Sequence, residues 1–320
     1  MSGITQLKIA TRESALALWQ AEHVASCLRQ RYPNLAISLV PMTTRGDQIL
    51  DRPLAQIGGK GLFLKELEQA MLAGEANCAV HSLKDVPMQL ESGFALAAIM
   101  QRASAFDALV VRDNKIKTLM QLPHGARVGS SSQRRQVQLH AMRPDFKLLD
   151  LRGNVNTRLR KLDAGEYDAI VLAQAGLDRL GFADRIAQVL AAPEFLPAAG
   201  QGALALECLS ARADVAQLLA PLADHETTIC VQAERSLATA LFGSCQMPIA
   251  AFAELHDGHL RLQALLGDDA ARQFVRAELS GRADQAQSLG VVLASTLRAL
   301  AKAQGFVNQS GPHVSAGGFS

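Results

Sequence analysis

Five short stretches of the 320-residue chain carry residue types that could do chemistry together. Val80-His81-Ser82-Leu83-Lys84-Asp85-Val86-Pro87 runs from an apolar stretch into a polar turn closed by proline, which puts Ser82, Lys84 and Asp85 at the carboxyl end of a predicted strand. An open α/β sheet places its ligand there; elsewhere a Lys-Asp pair is ordinarily solvated surface. Gly129-Ser130-Ser131-Ser132-Gln133-Arg134-Arg135 ends a strand at glycine and opens a helix at a serine run, so N–H groups, hydroxyls and two guanidiniums could converge on one anion. A serine-capped helix with exposed arginines fits the spacing equally well. Leu151-Arg152-Gly153-Asn154-Val155-Asn156-Thr157-Arg158 repeats the arrangement with an arginine on each side, and two such sites on adjacent strands favour a ligand with several carboxylates. Gly58-Gly59-Lys60-Gly61 lacks the spacing of a phosphate loop and has no Ser or Thr after the lysine, which speaks for a mobile flap rather than a nucleotide site. Gly243-Ser244-Cys245-Gln246-Met247-Pro248 brackets a cysteine between glycine and proline on a predicted loop. Cysteines are among the most buried residue types, and sequence chemistry alone does not set Cys245 above Cys208 or Cys230.

The choice of basic residue bears on these stretches. Net charge is only +2, too little for a polycation built to bind nucleic acid. Yet the chain holds 23 arginines against 9 lysines, and nine of those arginines lie between Arg127 and Arg185. Arginine's planar fork takes carboxylate or phosphate bidentately. A local arginine field in a near-neutral protein fits a small polyanion in a cleft, although salt-bridged surface is the commoner use. The five cysteines are scattered and never spaced Cys-x-x-Cys, against a disulfide framework or a zinc site. With 49% hydrophobic and 19% charged residues, no apolar run near the length of a membrane span and no secretory signal, a cytoplasmic globular protein is expected.

These residues must be held by alternating strands and helices. Leu7 to Thr11 reads as a strand, Ser14 as the N-cap of a helix carrying Leu18, Ala21, Ala25 and Leu28, and Pro33 as its end before a strand through Ile37 and Leu39 to Pro41. The pattern recurs as a helix over 64–73 and strands at 78–81, 94–100 and 107–111. It continues as strand 127–129, helix 133–142, strand 147–151, helix 154–164 and strand 168–173. Such alternation implies parallel sheets with helices on both faces. The stretches 101–106 and 197–202 interrupt it and are candidate crossings between two α/β domains, a double hinge. After Leu222 the spacing predicts a small α+β part: a helix over 225–241, a hairpin turning at Asp257-Gly258 and a last helix over 284–303. The tail after Asn308 is expected to be disordered.

Taken in order, nine stretches resemble the porphobilinogen deaminase (hydroxymethylbilane synthase) family. They are Ile9-Ala10-Thr11-Arg12, Thr44-Arg45-Gly46-Asp47, the Lys60 loop, the His81-to-Pro87 turn, the double arginine, the Arg152 turn, Ala175-Gly176-Leu177, Gly200-Gln201-Gly202 and the Cys245 loop. The resemblance covers roughly residues 5 to 305. It implies two periplasmic-binding-protein-like doubly wound α/β domains joined by a double hinge, plus a small C-terminal α+β domain. The expected limits are 1–102 with 201–222, 103–200, 223–307, and a tail at 308–320. It implies a transferase of porphyrin (haem-type) biosynthesis that joins four porphobilinogen molecules, each losing ammonia, into a linear tetrapyrrole. The primer is a dipyrromethane cofactor held by a thioether to Cys245. It implies that Asp85 is the catalytic carboxylate, stabilising the cationic azafulvene left when ammonia departs and assisting the proton transfers. It gives Lys84, Asp85, Ser130, Ser132, Arg134 and Arg135 to the cofactor, with Ser131 between them in the lining, and Arg12, Ser14, Lys60, Ser82, Arg152, Arg158, Arg179 and Gln201 to the substrate chain. Gln56 departs from a position often basic in the family, and Ser130 replaces a common threonine while keeping the hydroxyl. No metal, nucleic acid, membrane or obligatory protein partner is implied, and a monomer is expected.

Two other readings stand beside it. Paired α/β domains with a hinge are also the architecture of non-catalytic small-anion-binding proteins, for which no covalent adduct is expected. A cysteine hydrolase pairing Cys245 with a histidine such as His225 lacks a signature and leaves the arginines without a purpose.

Overall fold

The computed structural model describes residues 4–48, 63–241, 247–268 and 270–305. Gln56, the predicted flap with Lys60, Cys245 and the tail from Asn308 lie outside the described residues.

In the first lobe β1 (Gln6–Arg12) leads to α1 (Ala15–Arg31), then β2 (Ala36–Met42), the short α2 (Arg45–Gln48), α3 (Lys65–Leu72), β3 (Cys78–Ser82) and β4 (Phe94–Ile99). Ser14 caps α1 as expected, its hydroxyl accepting from the Ala17 N–H at 3.3 Å. The helix ends at Tyr32, the residue before Pro33, where the proline ring disfavours helical backbone. Ala21, Val24, Ala25 and Leu28 line its inner face and pack on Leu7, Ile9, Cys78 and Leu206.

The second lobe runs β5 (Asp107–Val111), β6 (Arg127–Gly129), α4 (Gln133–Met142), β7 (Lys147–Leu149), α5 (Val155–Asp163), β8 (Ala169–Ala173), α6 (Gln174–Arg179) and β9 (Ile186–Leu190). The chain then returns to the first sheet as β10 (Leu204–Leu209) and α7 (Ala213–Leu219). A third lobe follows, with α8 (His225–Leu241), β11 (Ile249–His256), β12 (His259–Gly267), β13 (Phe274–Arg282) and α9 (Ala286–Ala303). Its hairpin turns at Asp257 and Gly258, both with positive φ, as the Asp-Gly pair foretells.

The sheets are mixed, which corrects the expectation of parallel ones. The first has the order β2-β1-β3-β10-β4 and the second β7-β6-β8-β5-β9. In each, four strands run in one direction, and the strand that follows a crossing enters antiparallel to both neighbours: β10 between β3 and β4, β5 between β8 and β9. A strand arriving from the other lobe enters from the edge where its predecessor left, so it must run backwards through the sheet.

The two crossings lie side by side. Ala103 N–H donates to Gly202 O at 3.2 Å and Met100 N–H to Leu204 O at 3.0 Å. Gly202 has φ +92°, and a Cβ there would stand 2.6 Å from Ser104 O, so only glycine allows the contact. Glu234 of α8, fully buried, joins both crossings to the third lobe. Its Oε1 accepts from Arg102 Nη1 at 2.6 Å and Ala253 N–H at 2.9 Å. Its Oε2 accepts from Arg102 Nη2 at 3.1 Å and Gly200 N–H at 2.7 Å. An apolar seam of Ala105, Val137, Leu196, Ala250, Phe252 and Leu265 packs the third lobe on the second.

Removing one partner of a buried ion pair strands the other. Glu234→Ala should therefore lower stability by about 3–5 kcal/mol, read as a shift of the urea unfolding midpoint; a change within experimental error would show that the junction does not depend on this carboxylate.

Candidate active site

The carboxyl ends of β1 and β3 are parallel neighbours, so Arg12 and Ser82 come to one edge of the first sheet. A single 3-10 turn, Leu83–Asp85, then carries Lys84 and Asp85 into the cleft beside the crossings. Three contacts fix this turn. Leu83 N–H donates to Ala203 O at 3.0 Å. Ser82 Oγ accepts from the buried Gln20 Nε2 at 2.8 Å. Arg235 of α8 donates to Val86 O, Pro87 O and Met88 O at 3.3, 2.6 and 3.2 Å. Asp85 is half-buried, and among the described residues no donor hydrogen-bonds its carboxylate.

The second lobe faces this turn with α4. Gly129 ends β6 against the Tyr167 ring, where a Cβ would come within 2.8 Å, and the serine run follows. The serines are partly engaged: Ser130 Oγ accepts from Ser132 N–H at 3.3 Å, and Ser131 Oγ accepts from Leu151 N–H at 2.9 Å. Ser132 stands at the N-cap of α4 with no side-chain cap bond. Arg134 and Arg135 are buried and converge on an anion, as the spacing suggested, but that anion belongs to the chain. Asp107 Oδ2 accepts from Arg134 Nη1 at 2.7 Å, and Oδ1 accepts from Arg135 Nε and Nη2 at 3.1 and 2.7 Å. The two guanidiniums hold the Asp107 carboxyl far below its ordinary range, against a desolvation that alone would raise it. Among the described residues Arg134 Nε and Nη2 have no acceptor, which leaves one arm of the fork for a ligand.

The other expected residues divide. Gln201 Oε1 accepts from Lys84 Nζ at 3.3 Å, and Gln201 Nε2 donates to Ala105 O at 2.7 Å and to Asp107 Oδ1 at 3.0 Å. Arg158 Nε donates to Gly153 O at 2.7 Å, with Arg135, Asp85 and Arg152 acting on its charge; desolvation pushes it down to about 10. These residues form one cluster with Lys84, Asp85, Arg134 and Arg135. Ser14 is occupied as a helix cap, and Arg12 lies over the Phe63 ring at 4.1 Å. Arg179 spans the lobes, donating to Gly202 O at 2.7 Å with its guanidinium 5.6 Å from the Trp19 ring centre.

Among the described residues Lys84, Arg134, Arg135 and Arg158 stand around Asp85 and Asp107, so cations outnumber carboxylates in a largely buried site. Such an excess suits a ligand that brings several carboxylates of its own. Sequence reasoning missed Asp107, Gln20 and Arg235. Asp107 carried a signal: it is an acid opening the apolar strand Ala108-Leu109-Val110-Val111, and a charge in such a place must be paired. Gln20 and Arg235 sit inside ordinary helix patterns and carried none.

Residues 7–217 match the family model described as "Porphobilinogen deaminase, dipyromethane cofactor binding domain", and residues 228–299 match "Porphobilinogen deaminase, C-terminal domain". The chain is 58% identical over 294 residues to the porphobilinogen deaminase of Xanthomonas campestris pv. campestris, covering 92% of this chain and 96% of the relative. To that of Stenotrophomonas maltophilia it is 57% identical over 291 residues, 91% of this chain and 95% of the relative. Among solved structures it is similar to the VFT2 domain of BvgS from Bordetella pertussis, at 18% identity and a TM-score of 0.41 over 68% of this chain and 85% of that one.

Burial pushes the Lys84 ammonium down from 10.5 to about 8, Asp85 and Asp107 acting against the fall and Arg134 and Arg135 with it. Lysine NMR on the cofactor-free chain should show one resonance titrating near 8 that Lys84→Met removes. The depressed value penalises the charged form on folding, so Lys84 adds stability as pH rises from about 8 towards 10.5 while losing its hold on carboxylates over the same rise.

Proposed function

The chain belongs to the porphobilinogen deaminase family, and from this we infer that it is the transferase that joins four porphobilinogen molecules, with loss of ammonia, into the linear tetrapyrrole hydroxymethylbilane on a bound dipyrromethane. The observation that carries the reading within the site is the surplus of cations, among the described residues, around one half-buried carboxylate that none of them hydrogen-bonds, Asp85.

The residues present fit a dipyrromethane, whose acetate and propionate groups need cations out of water. Lys84, the free arm of Arg134, Arg135 and the hydroxyls of Ser130 and Ser132 would hold it. When bound, it supplies the pyrrole carbon to which the first unit is joined. Its attachment is proposed at Cys245. Support comes from the other thiols: burial pushes Cys78 and Cys230 up to about 12 and raises Cys208 as well, so these stay protonated, and Cys27 packs against the first core.

The chain's own groups then do three things. Arg12, Arg152, Arg158 and Arg179, with Ser14, Lys60, Ser82 and Gln201, are proposed to bind the carboxylates of incoming substrate and growing chain, charge-assisted contacts worth about 1.5–3 kcal/mol each. Asp85 is proposed to meet a substrate pyrrole N–H; its carboxylate would stabilise the positive charge that grows as ammonia leaves and take up the proton released when the new bond forms. The two crossings are proposed to act as a hinge that adjusts the lobes as the chain grows.

The domain limits proposed are 1–102 with 201–222, 103–200 and 223–307, supported by β4 ending at Ile99 and β5 opening at Asp107. The working form proposed is a cytoplasmic monomer; the described cysteines are all free thiols, as a reducing compartment allows.

Intact-protein mass spectrometry of the purified chain should show an excess equal to two linked pyrrole units that disappears in Cys245→Ala. An unmodified mass in active protein, or an adduct on another cysteine, refutes the attachment, and a chain that binds anions without any adduct is a binder rather than this enzyme. Asp85→Asn should keep the adduct and lose roughly a hundredfold to ten-thousandfold in turnover; near-normal turnover rules out the role given to Asp85.

A further inference from the structure

Asp107 is fully buried at the point where the first crossing becomes β5, and its two oxygens accept four hydrogen bonds. Three come from Arg134 and Arg135 at the start of α4. The fourth comes from Gln201, on the second crossing, at 3.0 Å. The same Gln201 amide is anchored to the first crossing through Ala105 O at 2.7 Å, and its oxygen accepts from Lys84 Nζ at 3.3 Å. An unbroken line therefore runs from α4 in the second lobe, through Asp107 and Gln201, to the turn in the first lobe that carries Asp85.

Each link is chemically constrained. Two buried guanidiniums on adjacent residues repel, and a single carboxylate between them cancels one charge while fixing both planes. Arg134 Nη1 donates to Leu196 O at 2.8 Å as well, and Arg135 Nη1 to Val171 O at 2.9 Å, so their orientation is set before any ligand arrives. Gln201 has both a donor and an acceptor, and Asp107 on one side and Lys84 on the other fix which end of its amide faces which lobe. A change at one end is felt at the other because hydrogen bonds join the whole line and Asp107 and Gln201 at its centre are buried.

Building on the function inferred above, we propose that Asp107 is a positioning residue for pyrrole addition: it orients Arg134 and Arg135 towards the chain's carboxylates and, through Gln201, holds Lys84 beside Asp85, so that the arginine cradle and the catalytic turn keep one geometry across the hinge. Asp107 itself touches no substrate. Its charge also supports the ammonium of Lys84.

The test compares Asp107→Asn and Gln201→Leu in the full-length holoenzyme, by intact mass, steady-state kinetics with porphobilinogen, lysine NMR and urea unfolding. Asp107→Asn removes the charge that orders both ends. It should keep the adduct, lose roughly tenfold to a hundredfold in kcat, raise KM, and move the Lys84 titration to lower pH than in the parent. Gln201→Leu leaves Asp107 paired with both arginines and removes the bonds to Lys84, Asp107 and Ala105, so kcat should fall by about tenfold or more, with a smaller rise in KM than in Asp107→Asn. If Asp107→Asn does not fold, Gln201→Leu decides alone. A Gln201→Leu enzyme with kcat within about twofold of the parent overturns the relay. So does an Asp107→Asn enzyme whose loss follows only its unfolded fraction while Lys84 titrates as before. Failure of the underlying function would show instead in the unaltered chain, as absence of adduct and turnover.

Discussion

A carboxylate taken out of water must be surrounded by donors, and two such groups sit where this chain passes between its lobes. Glu234 and Asp107 are both fully buried and each accepts four hydrogen bonds. Desolvating either without its donors would cost several kcal/mol. The crossings therefore cannot be arbitrary linkers: Arg102, Gly200 and Gln201 have to be where these carboxylates need them. Glu234 ties the junction to the third lobe, and Asp107 ties it to the helix that opens towards the cleft. The active-site turn hangs from the same junction through Leu83, Lys84 and Arg235.

This arrangement separates arginines that hold the protein together from arginines left for a ligand. Arg102 is spent on Glu234, Arg127 on Asp168 and Arg143 on Asp145. Arg134 is divided: one nitrogen is fixed by Asp107 and Leu196 O, and among the described residues the other two have no acceptor. A fork held at one tine is better prepared for a carboxylate than a free side chain, because less rotamer entropy is lost when the ligand binds. The positive surplus becomes a binding force once a ligand's own carboxylates meet it.

Much of the scaffold was legible in the sequence. The Ser14 cap, the stop before Pro33, the helix over 225–241 and the Asp257-Gly258 hairpin all rest on local chemistry that a short window contains. The direction of β5 and β10 was not, since it depends on where a strand comes from rather than on what it is made of. β9, β10 and α7 were passed over because their apolar runs are short. Lys84, Asp85, Arg134, Arg135, Arg158 and Gln201 were singled out from spacing and resemblance, and they lie in one cluster. Asp107 was seen only as the first residue of a strand, since nothing within a few residues shows that Arg134, Arg135 and Gln201 return to it from 27, 28 and 94 positions away.

The antiparallel entry of β10 also sets an order of events on the ribosome. β4 finds its only partner, among the described strands, in β10, which emerges some hundred residues later. The second sheet, by contrast, is built from one unbroken segment between β5 and β9. The first lobe to be synthesised is therefore the second to be finished, and until β10 arrives β3 and β4 wait with open edges. During that interval the nascent chain carries unpaired apolar strands, the state in which a growing protein is most exposed to wrong partners and most in need of a holding chaperone.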